Sequence, residues 1–129
     1  MKVMSQTNCT ITGKYFMWIR VATSQDAVQF NGAYTFFEGE NVEKFYFEDD
    51  TSKKLEEDGF LEEMWEKFDA LFDWGDCDFF DSQKCSKFRE WLIEKLNSNY
   101  DKSLTPIYLK MLDFAEKAIK FNTGIVFDF

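Results

Sequence analysis

The chain has 129 residues, a net charge of −9, 19% aromatic residues including 16 Phe, a single Pro and no His. That length suits one domain, 1–129, with its own core. The acidity disfavours nucleic-acid backbones and anionic membranes as partners, and the lack of His rules out Ser-His-Asp and Cys-His catalysis.

The N-terminal "MKVMSQTNCTITGK" has no apolar core of the kind a signal peptide needs. No apolar run approaches the roughly 20 residues required to span a bilayer. The expected location is the cytoplasm. Cys9, Cys77 and Cys85 fit it, because three cysteines are a poor disulfide framework and free Cys is usually a small buried hydrophobe.

The first 50 residues read as strands. "KYFMWIRVA" (14 to 22) is aromatic and β-branched, with Tyr15, Met17, Ile19 and Val21 alternating against Phe16, Trp18 and Arg20. "AVQF" and "AYTFF" flank Asn31-Gly32, a dipeptide that favours a tight type I′ hairpin. A turn at "EGEN" leads into "VEKFYFE". Short turns between consecutive strands predict an antiparallel β-meander.

After residue 50 the period becomes helical. Leu61, Met64, Trp65, Phe68, Leu71 and Phe72 form an apolar stripe, with Glu62, Glu63, Glu66 and Asp69 opposite. A second helix follows Asp81-Ser82, either of which can cap it; its stripe is Cys85, Phe88, Leu92 and Leu96. A third opens at Thr105-Pro106, with Thr105 as N-cap and a staple between Leu104 and Leu109. Tyr108, Met111, Leu112, Ala115, Ala118 and Ile119 make its buried face, and Asn122 and Gly124 can end it in a left-handed turn. "GIVFDF" adds a short C-terminal strand to the sheet. The predicted fold is α+β: an N-terminal antiparallel meander packed by about three α-helices on one face.

Little in this sequence points to chemistry. The six glycines are isolated, so neither nucleotide-binding glycine motif can be written. Zinc would need four soft ligands, and the three cysteines lie far apart. A calcium loop starting at Asp76 has Asp78 at its third position, but Phe80, Asp81 and Lys87 stand where an oxygen ligand, Gly and Glu belong. Carboxylate pairs for a glycosidase are too many to single out among 24 acids. No catalytic residue, cofactor or metal site is assigned, and the chain is not expected to be an enzyme.

The acids are concentrated. Residues 38 to 81 hold 17 Asp and Glu against 4 Lys, a net of −13; the other 85 residues carry 7 acids against 11 bases. Part of this serves solubility. Within the segment, "LFDWGDCDFFDSQKC" places Trp74 and Phe79 among Asp73, Asp76, Asp78 and Asp81, read as a loop between two helices. Aromatic residues are frequent interface anchors, and carboxylates around one suit a basic, concave partner such as a nuclease active site, where they stand in for phosphates.

The pattern "GDCDFF…KC…FREWL" followed by "LTPIYLKMLDFAEKAIKFNTGIVFDF" resembles small immunity proteins of bacterial contact-dependent inhibition and related polymorphic-toxin systems. The likeness covers roughly the C-terminal half and carries over no site residue. It implies a cytosolic protein that binds one cognate toxin C-terminal domain, usually a nuclease, and blocks it. The expected partner-binding residues, chosen on charge and anchor grounds, are Asp73, Trp74, Asp76, Asp78, Phe79, Asp81, Glu62, Glu63, Glu66 and Asp69. The alternative is a regulatory or adaptor module that accepts a peptide strand along "KYFMWIRVA" or "GIVFDF".

Overall fold

The computed structural model describes residues 17–31, 34–47, 49–70 and 77–128. The Asn31-Gly32 turn geometry, the start of the first predicted strand, Leu71 and Phe72 fall outside those residues.

The fold is α+β. Strands β1 (Met17–Ala22), β4 (Val42–Phe47), β5 (Cys77–Asp81) and β6 (Gly124–Asp128) form a four-stranded antiparallel sheet in the order β4-β1-β6-β5. Strands β2 (Val28–Asn31) and β3 (Tyr34–Phe37) form a separate hairpin. The strands are antiparallel, as expected, but they do not all pair in chain order. The hairpin folds out as its own unit, and β4 returns to β1 in the register Met17↔Phe47 to Ala22↔Val42. The reason is burial. Pairing with β1 sets Phe47, 1% exposed, beside Ile19 and Val21 in the main core.

The C-terminal strand is central, held by β1 on one side and β5 on the other, and buried along its whole length. The strand edges expected at β1 and β6 are therefore not free: among the described strands both are interior.

Four α-helices accompany the sheet: α1 (Asp49–Glu57), α2 (Phe60–Phe68), α3 (Ser82–Leu96) and α4 (Thr105–Phe121). The sequence pattern missed α1, because "DDTSKKLEE" has one apolar residue, Leu55, and hence no stripe; that Leu55 is fully buried. α3 begins as expected: the Asp81 carboxylate accepts the Lys84 amide at 2.8 Å. Its Cys85, Phe88 and Leu92 are fully buried, and desolvation pushes the Cys85 thiol up to about 12, where it is inert. α4 departs from its predicted start. The Thr105 hydroxyl donates to the Lys102 carbonyl instead of capping, and Leu104 is buried while Leu109 is half exposed. Phe114 joins the predicted buried face, while Ile119 stays partly exposed. Asn122 ends the helix in the left-handed region at φ 54°, as its short polar side chain allows.

α3 and α4 cover one face of the sheet, and a chain of rings (Phe68, Phe80, Phe88, Trp91, Tyr108, Phe127) runs through the core between them. The opposite face meets the β2–β3 hairpin through a smaller cluster of Ala22, Ala27, Phe37 and Val126. Gly124 opens β6 opposite Asp81. A Cβ there would lie within 3.0 Å of the Phe80 carbonyl oxygen and the Phe79 ring. Gly124→Ala should therefore spread the β5–β6 pair at a cost of about 1–3 kcal/mol, seen as a fall in melting temperature of about 3–5 °C per kcal/mol; an unchanged melting temperature would contradict the close approach.

On the same outer face Arg20 and Asp128 form an ion pair at 2.9 Å, with Asp128 only 2% exposed. Desolvation raises the Asp128 pKa to about 6, and the neighbouring Arg20 offsets only part of it. A carboxyl with a raised folded-state pKa holds a proton in the native state that the unfolded chain releases. Its contribution to stability therefore grows as pH falls from about 6 toward the unfolded value near 4. Asp128→Asn should flatten the stability-versus-pH curve in that window relative to the parent, measured by urea unfolding at several pH values; parallel curves would refute it.

Candidate functional site: an acidic, aromatic face of α2

α2 sorts its residues differently from the sequence pattern. Phe60, Met64 and Phe68 are buried, at spacings of four. At 100° per residue that axis turns Trp65 away from the core. Trp65 is 53% exposed, and Glu62, Glu66 and Asp69 are exposed beside it. Glu62, Trp65 and Glu66 stand at i, i+3 and i+4 within an arc of about 100°, and Asp69 follows as the left-handed residue that ends the helix. The sequence reading counted Trp65 as core because it took Leu61, not Phe60, as the start of the buried stripe. The signal that could have found it is Phe60, whose i+4 partners are Met64 and then Phe68.

The acids of this region divide by orientation. Glu63, on the flank of α2, turns toward α3. It accepts the Trp91 indole N–H at 3.0 Å, meets Lys67 at 3.3 Å and lies 3.8 Å from Lys95. It was predicted as part of the partner-binding face and is instead an internal contact. Glu62, Glu66 and Asp69 enter no ion pair among the described residues.

Asp58 anchors the turn that sets this face. The chain reverses between α1 and α2 at Gly59, whose φ of 85° suits glycine. The Asp58 carboxylate accepts the Tyr108 hydroxyl at 2.7 Å and the Asp101 amide at 3.1 Å, and pairs with Lys95 at 3.2 Å. Burial works to raise its pKa, but the bonds from Tyr108, Asp101 and Lys95 outweigh it and hold the carboxyl below its ordinary value. Its stabilisation is thus present above about pH 4 and lost as pH falls through the depressed pKa.

The other predicted residues fall into three groups. Asp73, Trp74 and Asp76 lie outside the described residues. Asp78 and Phe79 are not in a loop: they belong to β5, in register with Phe127 and Val126, and both are half-buried. Phe79 packs edge-on to Phe37 with ring centroids 6.0 Å apart, as part of the smaller cluster, so it is no free anchor. Alternation explains this, since "CDFFD" between two helices pairs with the apolar C-terminal strand. Asp81 is exposed, but its carboxylate is engaged as the α3 cap.

Beyond Asp69, where α2 ends in a left-handed residue (φ 54°), a groove of about 350 Å³ opens between α2 and the start of α3. Its lining is of mixed charge: Lys67, Phe68, Asp69, Asp81, Gln83, Lys84 and Lys87. Among the described residues no group of three His, Cys, Asp or Glu could hold a metal ion, and no helix is long and apolar enough to cross a membrane. Compared with known proteins, the chain matches no family model, no curated protein and no solved structure.

The Asp58 cluster makes a direct prediction. Lys95→Met leaves a largely buried carboxylate without its cation and should cost about 3–5 kcal/mol. The measurement is a lowered urea midpoint at unchanged slope. A loss below about 1 kcal/mol would place the pair with ordinary surface ion pairs.

Proposed function

We propose that this chain is an immunity protein that docks the α2 face on a basic toxin domain, a nuclease, and blocks its active or substrate-binding surface. The observation that carries the reading is Trp65: a half-exposed indole on a regular helix, ringed by carboxylates without ion-pair partners among the described residues. Large aromatics that desolvate fully in a complex supply most of the binding energy of typical interfaces. Uncompensated charge of one sign steers an oppositely charged partner and speeds encounter. The likeness in the C-terminal half to immunity proteins of polymorphic-toxin systems supports the same reading. On this view the chain acts by occupying a surface and needs no catalytic group of its own. Asp73, Trp74 and Asp76 are kept among the proposed contact residues on sequence grounds alone.

The test is co-purification with the product of the adjacent upstream gene, followed by binding kinetics. Trp65→Ala should weaken the complex by about 2 kcal/mol or more, roughly 30-fold. Replacing Glu62 and Glu66 by Gln and Asp69 by Asn should mainly slow association and flatten its salt dependence. A matching set with Asn at Asp73, Asp76, Asp78 and Asp81 measures the contribution of the following segment. Unchanged affinity and salt response in all three would refute the acidic-face mechanism.

A further inference from the structure

The apolar residues of α2 are spread too widely for one orientation to bury them all. At about 100° per residue, Phe60, Met64 and Phe68 occupy an arc of about 80°, Leu61 lies about 20° beyond it, and Trp65 about 40° further on. The structure buries the first three, leaves Leu61 half-buried against the main core, and leaves Trp65 half-exposed. A roll of about 50° about the helix axis gives the other solution. It centres Leu61, Met64, Trp65 and Phe68 on the core and carries Phe60 to the flank. Met64 and Phe68 serve in both settings, so the exchange is one large ring for another, Trp65 for Phe60. The second set is the stripe that the sequence pattern alone selects.

Apolar burial separates the two settings weakly; Glu63 separates them by direction. It lies on the flank opposite Leu61, where its carboxylate accepts the Trp91 indole N–H at 3.0 Å and stands 3.8 Å from Lys95, both on α3. The roll turns Glu63 away from α3 and breaks both contacts, whereas its pair with Lys67 lies within α2 and turns with the helix. The ends of α2 can absorb such a turn. Two left-handed residues bracket it, Gly59 at φ 85° and Asp69 at φ 54°. Hinges are a few element-terminal residues of this kind. With Gly59 as the pivot, the bonds of Asp58 to α3 and α4 stay in place.

We propose that α2 is a two-setting helix and that Glu63 is its latch. With the latch closed, as in the structure, Trp65 stands outward. With the latch open, α2 rolls and withdraws the indole to the flank where Leu61 now meets the core. The roll is a property of the fold; its effect on docking rests on the reading of the α2 face as the contact surface. A partner that binds the indole selects the closed setting, and its apparent affinity falls in proportion to the fraction of chains that hold that setting.

Nitrogen–proton spectra of the indole groups of the full chain test this, with signals assigned through Trp65→Phe and Trp91→Phe and exposure read by a soluble gadolinium chelate. In the wild type the Trp65 indole should be relaxed by the chelate and that of Trp91 shielded. In Glu63→Ala the Trp65 indole should become shielded. Glu63→Gln, whose side-chain oxygen still accepts the Trp91 N–H, should stay close to the wild type. Leu61→Asp sets a charge at the centre of the rolled stripe but only at the flank of the observed one, so Leu61→Asp combined with Glu63→Ala should return Trp65 to solvent. A Glu63 that merely adds stability would leave Trp65 exposed in Glu63→Ala; that result overturns the proposal, as does a double variant that stays shielded. If Glu63→Ala does not fold, relaxation dispersion at the wild-type Trp65 indole decides. Exchange in the microsecond-to-millisecond range that vanishes in Leu61→Asp supports the roll, and a flat profile or exchange that survives Leu61→Asp overturns it. Affinity for the product of the adjacent upstream gene should fall about tenfold in Glu63→Ala if about nine-tenths of the chains are rolled. Shielding of Trp65 with unchanged binding removes only the docking reading. Binding that needs Trp65, with Trp65 still exposed in Glu63→Ala, removes only the roll.

Discussion

The contact on which the acidic face depends is the carboxylate of Asp58. α1 and α2 are nine residues each, too short to persist as helices without tertiary support. Their apolar anchors, chiefly Leu55, Phe60, Met64 and Phe68, hold them to the body, but apolar contact is non-directional and leaves sliding and rotation cheap. Asp58 adds direction. Bonds from Tyr108 on α4, Lys95 on α3 and the Asp101 amide converge on one carboxylate at the turn between the two helices. Glu63 supplies a second such tie one turn into α2, through the Trp91 indole. With the turn and the inner flank of α2 both fixed, the rotation of α2 about its axis is fixed too. That rotation is what sends Trp65 and its carboxylates outward.

How the charge is divided follows from the same constraint. The segment from 38 to 81 is far more acidic than the rest of the chain, yet its acids do not behave alike. Asp58 and Glu63 are spent on internal contacts, and Glu43 pairs with Lys117 at 2.8 Å to tie α4 to β4. The lysines answering these acids come mostly from α3 and α4, so the basic excess outside the segment is in part its internal counter-charge. The remaining exposed acids on α2 face outward with no such match. A charge count by segment therefore overstates the field available to a partner. Orientation decides which acids contribute to it, and Glu62, Glu66 and Asp69 are the ones on this helix that do.

This also explains what could be read from the sequence. Class and layering were legible, because they rest on period: alternation before residue 50, helical spacing after it, and an apolar terminal strand. Caps written in short polar residues, Asp81 and Asn122, were legible for the same local reason. What failed depended on partners remote in sequence. β4 chose β1 over its neighbour β3 because Phe47 is buried against the main core. β5 looked like a loop because its partner, β6, lies more than forty residues further on. α1 carries a single buried apolar residue, and no local pattern marks it. For the expected contact face, the inner and outer acids of α2 could not be told apart until the rotation of the helix was known. Glu63, expected on the outer face, lies inward against Trp91, and Trp65, expected in the core, is exposed.

An anchor on such a helix differs physically from an anchor on a loop. A loop tryptophan must be ordered on binding, at a cost of about 1–2 kcal/mol for each backbone residue that becomes fixed. Trp65 stands on a backbone already held at both ends, by the Gly59 reversal with Asp58 and by the Ala70 amide closing onto the Met64 carbonyl at 3.1 Å. What remains to be ordered on binding is chiefly the side chain, at roughly 0.5–1.5 kcal/mol. The buried polar contacts around Asp58 contribute little net stability once desolvation is counted against them. Their larger effect is to fix the helix that presents Trp65, which in the proposed complex would leave more of the indole's contact energy for association. The internal acids and the external ones thus shape the same surface: the first set the orientation and rigidity of α2, and the second give its exposed face a sign.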